Sequence, residues 1–171
     1  TMFCVLPYST MSKQGKYKKF RNRLLEDNTL LSVVTLPRDL FYPVGQETVG
    51  IIVRKGQPQP ENQSVLWVRA LHDGRDKSDK KRLTKDDVSN DLEQVKPLVK
   101  SFVNSPDIDV EDKEKFQAAR PVDFDDTSLE LVPEAYLPQN PPTEEELQTE
   151  LESLARETAA FILKSKQEDN Q

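Results

Sequence analysis

Few residues in this chain have the chemistry of a catalyst. His72 stands beside Asp73, a pairing that can hold and pass a proton. It lies in a charged, irregular stretch with no nucleophile at a fixed spacing, which is the setting of a surface histidine. Cys4 sits in an apolar run and reads as a small core hydrophobe rather than a reactive thiol. One Cys and one His rule out a disulfide scaffold and leave no zinc-ligand set. There is no phosphate-binding P-loop and no dinucleotide fingerprint, and the acids of 107–126 do not follow a calcium-loop pattern. The residues alone therefore assign no catalytic group and no metal.

Charge is more informative. The 171 residues carry a net charge of -6. Residues 1–85 hold 16 Lys and Arg against 8 Asp and Glu, whereas residues 86–171 hold 8 against 22. A basic first half suits a phosphate-contacting surface, and an acidic second half suits solubility or a protein partner. Solvated faces of an ordinary domain would show such runs too. Only 35% of residues are hydrophobic and 32% are charged, below the roughly 45–50% apolar content of typical domains. The expectation is a modest core, long polar stretches and at least one extended helix. No run nears the roughly 18 apolar residues of a membrane span.

The elements follow from hydrophobic periodicity. Met2–Leu6, closed by Pro7, reads as a buried strand, and a chain opening in mid-strand looks cut from something larger. Ser9–Gly15 reads as a polar loop. Tyr17, Phe20, Leu24 and Leu25 recur at helical spacing among basic residues, predicting an amphipathic helix that ends near Asn28. Leu30–Leu36, Thr48–Arg54 and Ser64–Leu71 are apolar, β-branched runs bounded by turn residues, hence strands. The last two are expected to pair antiparallel. One helix cannot cover both faces of such a sheet, so a missing layer is expected. Residues 72–85 look irregular. Residues 86–104 carry a helical stripe (Val88, Leu92, Val95, Leu98, Val99, Phe102) that Pro97 should kink or break. The Pro-rich, acidic 105–142 reads as a linker or arm with small anchors at Phe124, Leu129, Leu131 and Tyr136. Thr143-Glu144-Glu145-Glu146 is a capping box. The seam Leu147, Leu151, Leu154, Thr158, Phe161 and Ile162 then predicts a helix of roughly 35 Å. That helix would pack on its own domain or dock on another subunit.

Several pieces in order resemble a known family: Phe3-Cys4-Val5-Leu6-Pro7; Lys18-Lys19-Phe20-Arg21-Asn22-Arg23-Leu24-Leu25-Glu26-Asp27-Asn28; Leu36-Pro37-Arg38-Asp39-Leu40-Phe41-Tyr42-Pro43-Val44-Gly45-Gln46-Glu47-Thr48; and Ile51-Ile52-Val53-Arg54-Lys55-Gly56. They are similar to N6-adenine DNA methyltransferases, in particular the modification subunits of type I restriction-modification systems and their type II relatives. Val65–Leu71 and Leu131–Leu137 resemble relatives more weakly. The resemblance places the chain after the family's Asn/Asp-Pro-Pro-aromatic motif. Asn140-Pro141-Pro142-Thr143 lacks the aromatic residue and lies too late to be that motif.

The resemblance implies an α/β fold: the later strands of an S-adenosylmethionine-dependent methyltransferase-like sheet, including an antiparallel pair, followed by a mostly helical C-terminal region. The implied organisation is 1–85 as the C-terminal part of the methyltransferase-like domain, 86–142 as a helix plus acidic arm, and 143–171 as a long amphipathic helix. It implies the C-terminal portion of a site-specific adenine-N6 methyltransferase. Such a portion is inactive alone, and S-adenosylmethionine is a cofactor of the complete enzyme but not of this chain. Phe41 and Tyr42 match a late motif whose aromatic residue stacks near the flipped base; Phe41 is equally placed to anchor its loop in a core. Gly45 would allow a turn or a close approach to DNA. Lys13, Lys16, Lys18, Lys19, Arg21 and Arg23 would contact phosphates. Implied partners are DNA, the missing N-terminal half, a specificity subunit met through Leu147, Leu151, Leu154, Phe161 and Ile162, or a second copy through the same helix. A prokaryotic cytoplasm is the implied compartment. A non-catalytic DNA- or protein-interaction module, such as a split or degenerate remnant, is the alternative.

Overall fold

The computed structural model describes residues 1–38, 40–41, 45–78, 81–84, 89–106, 110 and 116–137. The chain divides into two units, Thr1–Pro138 and Gln139–Gln171, and the described residues belong to the first. Tyr42 and the seam Leu147, Leu151, Leu154, Phe161 and Ile162 lie outside them.

In chain order the elements are β1 (Met2–Pro7), α1 (Tyr8–Ser12), α2 (Lys16–Asp27), β2 (Asn28–Leu36), β3 (Thr48–Lys55), β4 (Ser64–Arg69), β5 (Arg75–Ser78), β6 (Lys81–Thr84), α3 (Asp91–Asn104), β7 (Gln117–Pro121) and α4 (Pro133–Tyr136). Five strands form one mixed sheet in the order β1-β3-β2-β4-β7, and β5 and β6 pair as a separate hairpin. Strand β3 is antiparallel to both β1 and β2, β4 is parallel to β2, and β7 is antiparallel to β4. It follows that β1, β2 and β4 all run the same way.

The expected pairing of the third and fourth strands does not occur, because β2 lies between them. The connecting segment is pinned at the α2–β2 junction, where the Gly56 and Gln59 amides donate to Asp27 O (3.0 Å) and Leu25 O (2.8 Å). The Leu30 amide in turn donates to Gln59 Oε1. The chain is thus carried past the start of β2 to its far side.

Strand β2 is almost wholly buried, as its apolar run required. Its pairing with β3 slips between Leu30 and Ser32. That bulge shifts the side-chain phase by one residue, so Leu30 and Val33 enter the same core despite their odd spacing. The first strand differs from expectation. Strand β1 is an edge with β3 as its neighbour, and Phe3 is 62% exposed. Cys4 is half-buried at the margin of the core.

Two cores lie on opposite faces of the sheet. One gathers Met11, Leu25, Leu30, Ile51, Trp67, Leu131 and Tyr136. The other sets Val95 and Phe102 of α3 against Val34, Leu66 and Val68. The layer expected to be missing is therefore supplied in part by α3. That helix runs continuously through Pro97 rather than breaking there, with its first turn acidic as the helix dipole favours. Three further elements depart from the sequence reading. Residues 8–12 form α1, residues 75–84 hold the β5–β6 hairpin, and 117–137 are integral to the fold. Strand β7 closes one side of the sheet, and Leu129, Leu131 and Tyr136 are buried, whereas Phe124 is exposed.

Candidate functional site

Because β1, β2 and β4 are parallel, their carboxyl ends meet at one edge of the sheet. In open α/β sheets that edge is where ligands bind. A cleft of about 440 Å³ opens there, lined among others by Tyr8, Thr35, Arg38, Glu47, Arg69 and Glu134. Each strand delivers one of these groups. Tyr8 follows β1, Thr35 is near the end of β2, and Arg69 ends β4 directly beside Thr35 in the parallel register. The rim is tied by the Tyr8 amide to Glu47 O (2.9 Å) and the Ala70 amide to Thr35 O (2.9 Å).

Glu134 joins the three strand ends. It sits in the first turn of α4, behind Pro133, whose fixed φ suits a helix start. Its carboxylate accepts from Thr35 Oγ1 at 3.1 Å on each oxygen, from Arg69 Nε at 3.3 Å and from the Tyr8 hydroxyl at 3.3 Å. Burial, followed by the charge of Glu134, raises the Tyr8 phenol well above its ordinary range, so Tyr8 remains a donor. Sequence reasoning assigned no role to Tyr8, Thr35, Arg69 or Glu134. The available signals were a charge closing an apolar strand at Arg69 and an acid after an N-terminal helix proline at Glu134.

Loop 37–47 leaves the same edge from β2 and returns as β3, opening with a turn from the Leu40 amide to Pro37 O (3.0 Å). Phe41 on this loop is 44% exposed, so it is not a buried loop anchor. Gly45 does not have a positive φ, and an added Cβ there would meet nothing within 4 Å. The described chain itself therefore does not demand glycine at that position.

The basic residues divide. Lys13, Lys16, Lys19 and Arg23 are exposed. The β1-to-β2 crossover runs α2 antiparallel to the strands. Lys13 and Lys16 are thereby placed near the cleft end of the sheet, and Arg23, ion-paired with Asp27 at 3.4 Å, near the other end. Lys18 is half-buried and donates to Thr127 O. Arg21 was expected to face phosphates, but it is fully buried. Its guanidinium donates to Leu129 O (2.7 Å), Thr10 O (3.0 Å), Lys13 O (2.8 Å) and Ser128 O (3.0 Å). The helix is turned so that Arg21 and Leu25 face inward and Phe20 faces out. The four carbonyls gathered on one guanidinium account for that rotation. Burial lowers the Arg21 pKa, while Glu130 and Asp126 raise it; the guanidinium keeps its charge.

His72 is exposed, and its amide and that of Leu71 donate to Asp91 Oδ2 at 2.9 and 2.8 Å. No described helix is long and apolar enough to cross a membrane.

The profile of the N-6 DNA Methylase family matches residues 2–137. A type II restriction enzyme and methyltransferase, RM.BcgI of Heyndrickxia coagulans, is 35% identical over 71 residues, 41% of this chain and 11% of the relative. The type I restriction enzyme MjaVIII methylase subunit of Methanocaldococcus jannaschii is 27% identical over 105 residues, 61% of this chain and 18% of the relative. The matched stretches thus span less than a fifth of either relative. A chain from a solved structure, described as the structural basis of complex assembly and conformational transition of the type I R-M system, has a similar fold. It aligns over 99% of this chain and 36% of its own length, with a TM-score of 0.57 and 19% identity. With the mixed sheet and its carboxyl-edge cleft in place, and with the family profile running from β1 to the end of α4, the chain belongs to the N-6 DNA Methylase family.

Proposed function

We propose that this chain supplies the target-base and DNA-facing side of a site-specific adenine-N6 DNA methyltransferase of a restriction-modification system. The observation that carries the reading is Phe41, left half-exposed on the loop that leaves the carboxyl edge where the cleft opens. An aromatic ring left in water at that edge is positioned to stack on a base extruded from the duplex. Tyr42 is its neighbour in the role, Gly45 allows DNA to come close, and Lys13, Lys16, Lys19 and Arg23 contact phosphates.

The methyl donor belongs elsewhere. S-adenosylmethionine carries a sulfonium and an ammonium, which call for available carboxylates. The central carboxylate of the cleft, Glu134, is already engaged by Tyr8, Thr35 and Arg69. Glu134 is therefore not available to the cofactor, and the remaining polypeptide of the enzyme holds it. When bound there, the cofactor supplies the methyl group; this chain orients the base.

The exposed β1 edge supports assembly with that remaining part. So does an apolar groove of about 620 Å³ between the sheet and α3, lined by Phe3, Leu36, Ile52, Val95 and Val99 with Lys96 and Lys100 at its side. The seam Leu147, Leu151, Leu154, Phe161 and Ile162 is assigned to docking on a specificity subunit, with a second copy of the chain as the other candidate.

Two measurements test the reading. Phe41→Ala weakens binding to a duplex with a mismatched adenine, the cheapest base to extrude, about 5- to 150-fold at fixed salt. An unchanged affinity would remove Phe41 from the role. Calorimetric titration of the chain alone with S-adenosylmethionine shows no tight binding, and a tight complex would overturn the division of labour.

A further inference from the structure

The Glu134 network leaves one group incompletely used. Arg69 has five N–H donors in a planar fork. Nε is committed to Glu134, while the Nη groups have no partner among the described residues. The side chain is 25% exposed and lines the cleft. Its stem is fixed twice over, by the strand register with Thr35 and by the Arg69 amide donating to Phe116 O at 2.7 Å. Glu134 itself is held by the Thr35 and Tyr8 hydroxyls, so the guanidinium is aimed through Nε and keeps its outer edge for a ligand. A held, partly desolvated guanidinium with open donors matches the geometry of a phosphate better than a mobile lysine does.

We propose that Arg69, positioned by Glu134, is an anion subsite of the cleft that takes the phosphate of the nucleotide whose base is presented to Phe41. This deepens the proposed function and rests on it for the identity of the ligand as DNA. Arg69 is the binding residue. Glu134, which acts through Arg69, is a positioning residue.

Solution NMR of the isotope-labelled 171-residue chain tests it through the arginine Nε–Hε signals, with Arg69→Lys identifying the Arg69 signal by its loss. Inorganic phosphate and 2′-deoxyadenosine 5′-monophosphate are expected to shift that signal, and 2′-deoxyadenosine is not. Arg69→Gln weakens binding of the monophosphate about tenfold, the effect of losing one charge-assisted contact. Glu134→Gln moves the Arg69 signal in the free protein, which a merely structural Glu134 with no hold on the guanidinium would not do. An Arg69 signal that ignores both phosphate and the monophosphate overturns the proposal, even if amides of loop 37–47 respond; the base-side reading then survives alone. An Arg69 signal that follows phosphate while loop 37–47 ignores all three compounds supports the subsite and counts against Phe41.

Discussion

Replacing Arg21 by methionine is expected to lower the unfolding free energy by about 3–5 kcal/mol, although no ligand contact is touched. Methionine fills similar volume but donates nothing, so the carbonyls of Thr10, Lys13 and Leu129 lose their side-chain donor together and Ser128 O keeps only Gln14 Nε2. Hydrogen bonds from a charged donor are worth about 1.5–3 kcal/mol each. Their sum is reduced by the several kcal/mol regained when a buried guanidinium no longer has to be desolvated. What remains is the expected loss, a fall in melting temperature on the order of 10 °C. Arg21→Lys recovers little, because one ammonium cannot reach four acceptors spread over two segments. Urea unfolding followed by circular dichroism measures both variants. A loss below about 1 kcal/mol for Arg21→Met would mean that the carbonyls find water instead.

The second large effect is expected at Trp67, the chain's one tryptophan. Its ring is fully buried in β4 and lies parallel to Tyr136 of α4, with centroids 3.7 Å apart and planes 1° from coplanar. Nε1 donates to Arg120 O at 2.9 Å, so one side chain joins β4, β7 and α4. Trp67→Ala opens a large cavity and orphans that carbonyl, with an expected loss of about 3–5 kcal/mol. Trp67→Phe keeps an aromatic face for Tyr136 and loses mainly the hydrogen bond, about 1 kcal/mol. The two values separate packing from polar anchoring. Equal losses in the two variants would refute the stacking argument.

These two residues also mark how far the sequence could be read. Strands β2, β3 and β4 were legible because buried strands need continuous apolar runs, a local property. Helix α2 was legible in extent but not in rotation, since the stripe Tyr17, Phe20, Leu24, Leu25 gave no notice of the carbonyls awaiting Arg21 more than a hundred residues later. Residues 117–137 were misread for the same reason. Their prolines and acids look like a linker, and what makes them core is Trp67 and the edge of β4. The order of strands was hidden because the turn at 56–63 is held by α2 rather than by its neighbours in sequence. Loop 37–47 was singled out by its resemblance to the family, whereas the Glu134 network was invisible. It forms from residues of four separate segments, and no spacing rule connects Tyr8 with Glu134, 126 positions apart.

That distance bears on how the chain folds. Arg21 waits for Leu129, 108 positions later, and Trp67 for Tyr136. Loop-closure entropy must therefore be met before these contacts can form, which places the chain among slow, non-local folders. During synthesis the β2–β3 hairpin can form early. Arg21 can reach Thr10 and Lys13 early, but its bonds to Ser128 and Leu129 and the stack of Trp67 on Tyr136 wait until residues 128–136 have left the ribosome. The short segment around α4 thus acts as the closing clasp of the domain, and a nascent chain stopped before it carries an open core.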